Sequence, residues 1–124
     1  PPTRSAPPIS FKGDNIEDAR YLARKTANMR IFADEMGKLN LSVKDIQGQI
    51  LAISQFTLYA DCKHGNRPGF TEAALPEEAN LLYENYIAFL QEEGVPVQKG
   101  IFQTDMLVQI ANDGPVTIFL ESRK

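Results

Sequence analysis

Two short segments of this chain carry groups able to handle a small reactive ligand. One is Ser54-Gln55-Phe56-Thr57, closing an apolar run, and the other is Asn112-Asp113-Gly114-Pro115-Val116-Thr117, between two later apolar runs. The first follows Ile50-Leu51-Ala52-Ile53 and offers hydroxyls, an amide and backbone N–H groups where a buried strand meets solvent, a place where small ligands sit. The second contains Gly-Pro, one of the few dipeptides able to hold a cis peptide bond at a cost of only about 0.5–1 kcal/mol. In such a turn the carbonyls of Gly114 and Pro115 can point the same way and form a rigid wall of acceptors able to sense stereochemistry. A tight trans turn joining two strands is the plainer reading of the same Asp-Gly-Pro residues.

Other reactive-looking residues carry less. Thr57 invites a nucleophile reading, but a threonine hydroxyl is weak without an adjacent base, and the only histidine, His64, lies in the loop that follows. Cys62-x-His64 has too few ligands for zinc, so no metal site is expected. Glu77, Glu78, Glu92 and Glu93 sit at helix ends and read as solvated charge rather than an acid–base pair. No Gly-rich phosphate loop occurs, and no cofactor is implied. Arg20, Arg24 and Lys25 cluster on a first helix, and Lys63, His64 and Arg67 in one loop; the plain reading of each is solvated surface charge, with a small RNA footprint as the alternative.

The two segments, taken with Asn28-Met29-Arg30-Ile31-Phe32, Arg67-Pro68-Gly69-Phe70-Thr71 and Phe102-x-x-x-Met106, resemble the D-aminoacyl-tRNA deacylase family, with order, spacing and residue identity agreeing from Lys12 to Ser122. The resemblance implies an ester hydrolase that frees D-amino acids, and glycine mischarged on tRNA, as cytoplasmic translation quality control. It implies backbone N–H groups around Phe56 and Thr57 as oxyanion donors, with Ser54 and Gln55 shaping the same pocket. The Gly114 and Pro115 carbonyls would bind the substrate α-amino group and occupy the space of an L side chain. Phe102 and Met106 would hold the terminal adenine, core packing being the other reading of both. The resemblance further implies substrate assistance by the terminal ribose hydroxyl, with Thr57 positioning the reactants. Arg67 to Thr71 would shape the pocket mouth, unless Phe70 simply fills the core. The implied partners are the acceptor end of D-aminoacyl-tRNA and a second copy of the chain, each Gly-Pro turn reaching into the other subunit's pocket. Two alternatives remain: a related deacylase with relaxed chirality, and a non-catalytic RNA-binding or subunit-interaction module.

An aminoacyl-tRNA is already an activated ester, so orientation, oxyanion stabilisation and admission of water suffice. Composition agrees with that modest demand. A chain of 124 residues with 43% apolar content forms one domain with one core. The apolar runs are too short to span a membrane, and no charged-then-apolar leader is seen. The single cysteine excludes an internal disulfide. A net charge of −3 argues against coating DNA or any nucleic acid through many phosphate contacts.

The elements that must position these residues follow from periodicity. Asp14 or Asn15 caps a first helix whose stripe is Ile16, Ala19, Leu22, Ala23 and Ala27, ending near Met29 or Arg30. A turn over Asp34 to Lys38, a short strand from Lys38 to Ser42, a break at Gln47-Gly48-Gln49 and an apolar strand from Gln49 to Tyr59 come next. After a loop from Ala60 to Ala74, Pro76 opens a second helix with the stripe Ala79, Leu82, Tyr83, Tyr86, Ile87 and Leu90, ended by Gly94 and Pro96. Three strands are predicted to follow: Val95 to Ile101, Met106 to Ala111 and Val116 to Glu121. The order β–α–β–β–α–β–β–β indicates α/β, and the resemblance implies a three-layer α/β/β single domain that dimerises. Residues 12–124 form the deacylase-like domain and 1–11 a Pro-rich start that does not match. That start lacks the hairpin and bracing arginine with which the family opens, and its prolines deny it ladder donors at four positions, leaving Ile9-Ser10-Phe11 as a possible strand. Beginning at Pro suggests a fragment, a processed chain or an incompletely recorded one. If the opening strands are absent, a sheet edge and apolar strand faces are left open.

Overall fold

A computed structural model describes the chain at residues 15–54, 61–70, 75–100, 107, 109, 111 and 116–122, and the backbone at 3–6. The elements run β1 (Thr3–Ala6), α1 (Ile16–Asn28), β2 (Phe32–Ala33), β3 (Leu39–Leu41), β4 (Gln49–Ala52), α2 (Pro76–Glu92) and β5 (Val97–Lys99).

Helix α1 begins where its sequence provides a cap. The Asn15 side chain accepts the N–H groups of Glu17 and Asp18 at 3.0 and 3.3 Å, and the Asp18 carboxylate accepts the Asn15 N–H at 2.8 Å. This reciprocal box satisfies donors that a helix start leaves orphaned. Helix α2 has no side-chain cap; Pro76 starts it with φ already helical and no N–H to satisfy. It stops at Gly94, whose φ of +87° is open to glycine at little steric cost.

The two helices pack on each other through unlike faces. The buried side of α1 is Ala19, Ala23 and Ala27, small residues one turn apart, while α2 buries Ala79, Tyr83, Tyr86, Ile87 and Leu90. Alanines on one side admit the tyrosines of the other. Tyr86 keeps its hydroxyl satisfied at 3.0 Å from Thr26 Oγ1, as a buried phenol must. Ile50 and Ala52 of β4, with Val43 and Val95, complete the core.

β4 is the middle strand of a three-stranded parallel sheet in the order β1-β4-β5, with Arg4 opposite Ile50 and Ile50 opposite Val97. β2 and β3 form a separate antiparallel ribbon. Their turn is held by the Asp34 carboxylate, which accepts the N–H groups of Met36 and Lys38 at 2.9 and 3.0 Å, and by Gly37 at φ +78°. No helix among the described residues is long and apolar enough to cross a membrane.

The fold is mixed α/β, and it departs from expectation in two places. The Pro-rich start does contribute a strand: Thr3–Ala6 lies between the proline pairs and keeps all its N–H groups, so it can join the edge of β4. Ile9-Ser10-Phe11 lies outside the described residues. At the other end, Val116 to Glu121 has the composition of a strand but is laddered to none of the described residues, and Val116, Ile118 and Phe119 are exposed. A strand is defined by a neighbour, and among the described residues none pairs with this segment. The strand expected from Gln49 to Tyr59 is laddered to Ala52, with residues 55–60 outside the described residues; that expected from Val95 to Ile101 is laddered over Val97–Lys99.

Candidate functional site

Because β1, β4 and β5 are parallel, their carboxyl ends share one edge of the sheet. In open α/β sheets this is the edge where ligands bind. β4 ends at Ala52 and runs on through half-buried Ile53 and Ser54, the first residue of the Ser54-Gln55-Phe56-Thr57 segment. β5 ends at Lys99, in register with Ala52, and Gly100 then leads toward Phe102. The chain therefore leaves β4 toward Ser54 and β5 toward Gly100 at the same edge. Of the residues singled out by sequence, Ser54 is described; Gln55, Phe56, Thr57, Phe102, Met106, Gly114 and Pro115 lie outside the described residues.

The two strand ends are tied together. Gly100 N–H donates to the Ala52 carbonyl at 3.1 Å. The Tyr83 hydroxyl reaches up from α2 and lies 2.9 Å from both the Ala52 and the Gly100 carbonyl oxygens. Burial, reinforced by the neighbouring Glu84 charge, pushes the phenol above its usual range, so it stays protonated as a donor. Next to it, Glu84 pairs with Lys99 at 2.6 Å. Sequence reading placed Tyr83 only in an apolar stripe; the missed signal is that a phenol inside such a stripe requires an acceptor.

The loop after the first segment folds back on itself through Asp61 and Gly69, whose backbones exchange bonds at 2.6 and 3.0 Å. Asp61 also accepts from Lys63 N–H at 2.9 Å and meets His64 Nδ1 at 2.7 Å. These contacts, His64 first, hold its carboxyl below the usual range. His64 is thus engaged in shaping its own loop. Phe70 is 37% exposed, which overturns its reading as a core plug. Among the described residues no group of three His, Cys, Asp or Glu side chains is placed to hold a metal.

A second cluster braces the elements from the opposite end of α2. Glu93 Oε1 accepts from Asn28 Nδ2 at 3.0 Å and Lys44 Nζ at 3.2 Å, while Lys44 also donates to Asn28 Oδ1 at 3.1 Å. Glu93 is therefore a joint between the ends of both helices and the turn before β4, not the free surface charge its position suggested. Arg30 of the same Asn28 to Phe32 motif donates to Asn40 Oδ1 at 3.1 Å, fastening the helix exit to β3.

The sequence model of D-Tyr-tRNA(Tyr) deacylase matches residues 9–121. The chain belongs to this family. It is 56% identical over 113 residues to a D-aminoacyl-tRNA deacylase of Desulforamulus reducens, covering 91% of this chain and 76% of the relative. Identity to the deacylase of Halalkalibacterium halodurans is 58% over 111 residues, covering 90% of this chain and 76% of that one. The chain thus spans about three quarters of the length of these deacylases. A solved structure described as c-Myc DNA Unwinding Element Binding Protein superposes with a TM-score of 0.86 at 36% identity, over 97% of this chain and 82% of that one. A second, described as a probable eukaryotic D-amino acid tRNA deacylase, matches with a TM-score of 0.60 at 18% identity over 73% and 53% of the two chains, a likeness of fold. Within the deacylase family frame, the described residues supply the parallel edge and its ties.

Proposed function

We propose that this chain hydrolyses the ester joining a D-amino acid to tRNA, freeing tRNA and D-amino acid, and that it spares L-aminoacyl-tRNA. The observation that carries the reading is the shared edge: in a chain of the deacylase family, the strands leading to Ser54–Thr57 and to Phe102 are adjacent, parallel and in register. An activated ester needs little more than placement and a stabilised oxyanion. The backbone N–H groups around Phe56 and Thr57 are the proposed oxyanion donors, with Ser54 and Gln55 lining the pocket and Thr57 orienting the reactants. The ribose hydroxyl beside the ester assists attack of water on the carbonyl; the ester bond breaks and the ribose oxygen leaves with a proton. Gly114 and Pro115, as a Gly-cisPro turn, offer carbonyls to the substrate ammonium and leave no room for an L side chain. Phe102 and Met106 hold the terminal adenine. On this reading glycyl-tRNA mischarged on the wrong tRNA is also a substrate, because glycine has no side chain to exclude, and the work belongs to cytoplasmic proofreading. Residues 12–124 form the deacylase domain in a three-layer α/β/β arrangement.

We further propose a homodimer in which each Gly114–Pro115 turn enters the partner's pocket. Supporting it, the described residues on either side of that turn, Leu107, Val116, Ile118 and Phe119, are apolar and exposed, as expected of a surface that binds a second chain.

Release of D-tyrosine and L-tyrosine from charged tRNA tests the activity. Hydrolysis of the D ester alone is expected, with Gly114→Ala eroding the discrimination. Equal hydrolysis of both would point to the relaxed relative, and binding without turnover to a non-catalytic module. Thr57→Ala is expected to lower turnover mildly; near-complete loss with unchanged binding would restore Thr57 as a nucleophile.

A further inference from the structure

Tyr83 stands apart from the other residues of the α2 stripe. Tyr83 is 2% exposed, and its hydroxyl, unlike that of Tyr86, sits 2.9 Å from two carbonyls at the ends of two different strands. Those carbonyls belong to Ala52, the last residue of β4, and Gly100, one residue past the last registered pair of β5. A hydroxyl has one proton, so it is shared between the two oxygens. Together with the Gly100 N–H to Ala52 bond at 3.1 Å, that proton ties the two strand ends. The polypeptide that leaves Ala52 becomes Ser54–Thr57 within two residues, and that leaving Gly100 becomes Phe102 equally soon.

We propose that Tyr83 is a positioning residue whose hydroxyl fixes the spacing of the β4 and β5 ends at Ala52 and Gly100, from which the chain runs on to the proposed oxyanion donors and the proposed adenine platform. This rests on the deacylase reading above. The ester and the terminal adenine are carried on one ribose, so an enzyme that grips both must hold its two grips within the span that this ribose allows. A misfit of about 1 Å can cost on the order of a hundred-fold in rate. Substrate held by Phe102 would then still bind but present its ester badly to the donors. Glu84–Lys99 anchors the same helix to β5 at the surface, leaving the buried phenol to link both strands at once.

The test uses the full chain and D-tyrosyl-tRNA. Tyr83→Phe is expected to lower kcat about ten-fold or more with KM changed less than about two-fold, while Tyr83→4-aminophenylalanine, which restores N–H donors at the ring end, recovers kcat. In a Phe102→Ala background, where the second grip is lost, the Tyr83→Phe effect should shrink to within about three-fold, since residues that act as a unit are not additive. Losses that multiply, a kcat within two-fold of the parent, or a folded 4-aminophenylalanine variant as impaired as a folded Phe variant each overturn the proposal. Should Tyr83→Phe fail to fold, a folded 4-aminophenylalanine variant decides alone: parental kcat supports the clamp and a ten-fold loss refutes it. An unsubstituted chain that leaves D-tyrosyl-tRNA intact refutes the deacylase reading itself, and the clamp falls with it.

Discussion

Glu93 shows how much a single side chain can hold when three elements meet at it. Its carboxyl is kept below the usual range first by the Asn28 amide and then by Lys44. A carboxyl with a depressed folded value adds stability above its unfolded pKa, and that stability is lost as pH falls through the folded value. Glu93→Ala should therefore lower the thermal midpoint at pH 7, by an amount equivalent to about 0.5–1 kcal/mol for a partly exposed pair. The gap between variant and parent should close as the pH is brought from 5 toward 3; a gap that persists undiminished at pH 3 would show that packing rather than charge is at stake. The position of Glu93 in sequence betrays none of this, because its partners lie on other elements and only the fold brings them together.

At the scale of elements, helix limits were legible because the signals are local. Asn15 with Asp18 opens α1, Pro76 opens α2 and Gly94 closes it. Strands were less so, because a ladder needs a neighbour that local sequence does not name. Thr3–Ala6 became a strand despite flanking prolines, and Val116 to Glu121, though apolar, is laddered to none of the described residues. The seam between helices adds a testable consequence. Ala23 is fully buried where α1 meets α2, so Ala23→Leu should separate the helices and cost about 1–3 kcal/mol. Chemical denaturation would show this as a lower midpoint at constant slope; a neutral result would mean that α1 can shift without loss.

For the whole molecule, the exposed apolar residues after the Gly-Pro turn are the feature that a lone chain explains least. Phe119 is 73% exposed. If the proposed homodimer buries it, the parent should sediment at twice the chain mass, and Phe119→Asp should sediment as a monomer with lowered deacylase activity. A variant that stays dimeric would remove this face from the interface.

β4 has a further consequence in time. Ile50 pairs with Arg4 on one side and Val97 on the other, so the strand that feeds the reactive segment waits for contributions from distant stretches of chain. Contacts of such long sequence separation slow the search for the native state. During synthesis α1 and the β2–β3 ribbon can assemble early, whereas the sheet edge must await the ribosome's delivery of β5. Catalytic competence should thus emerge late in refolding, after helical signal has already returned.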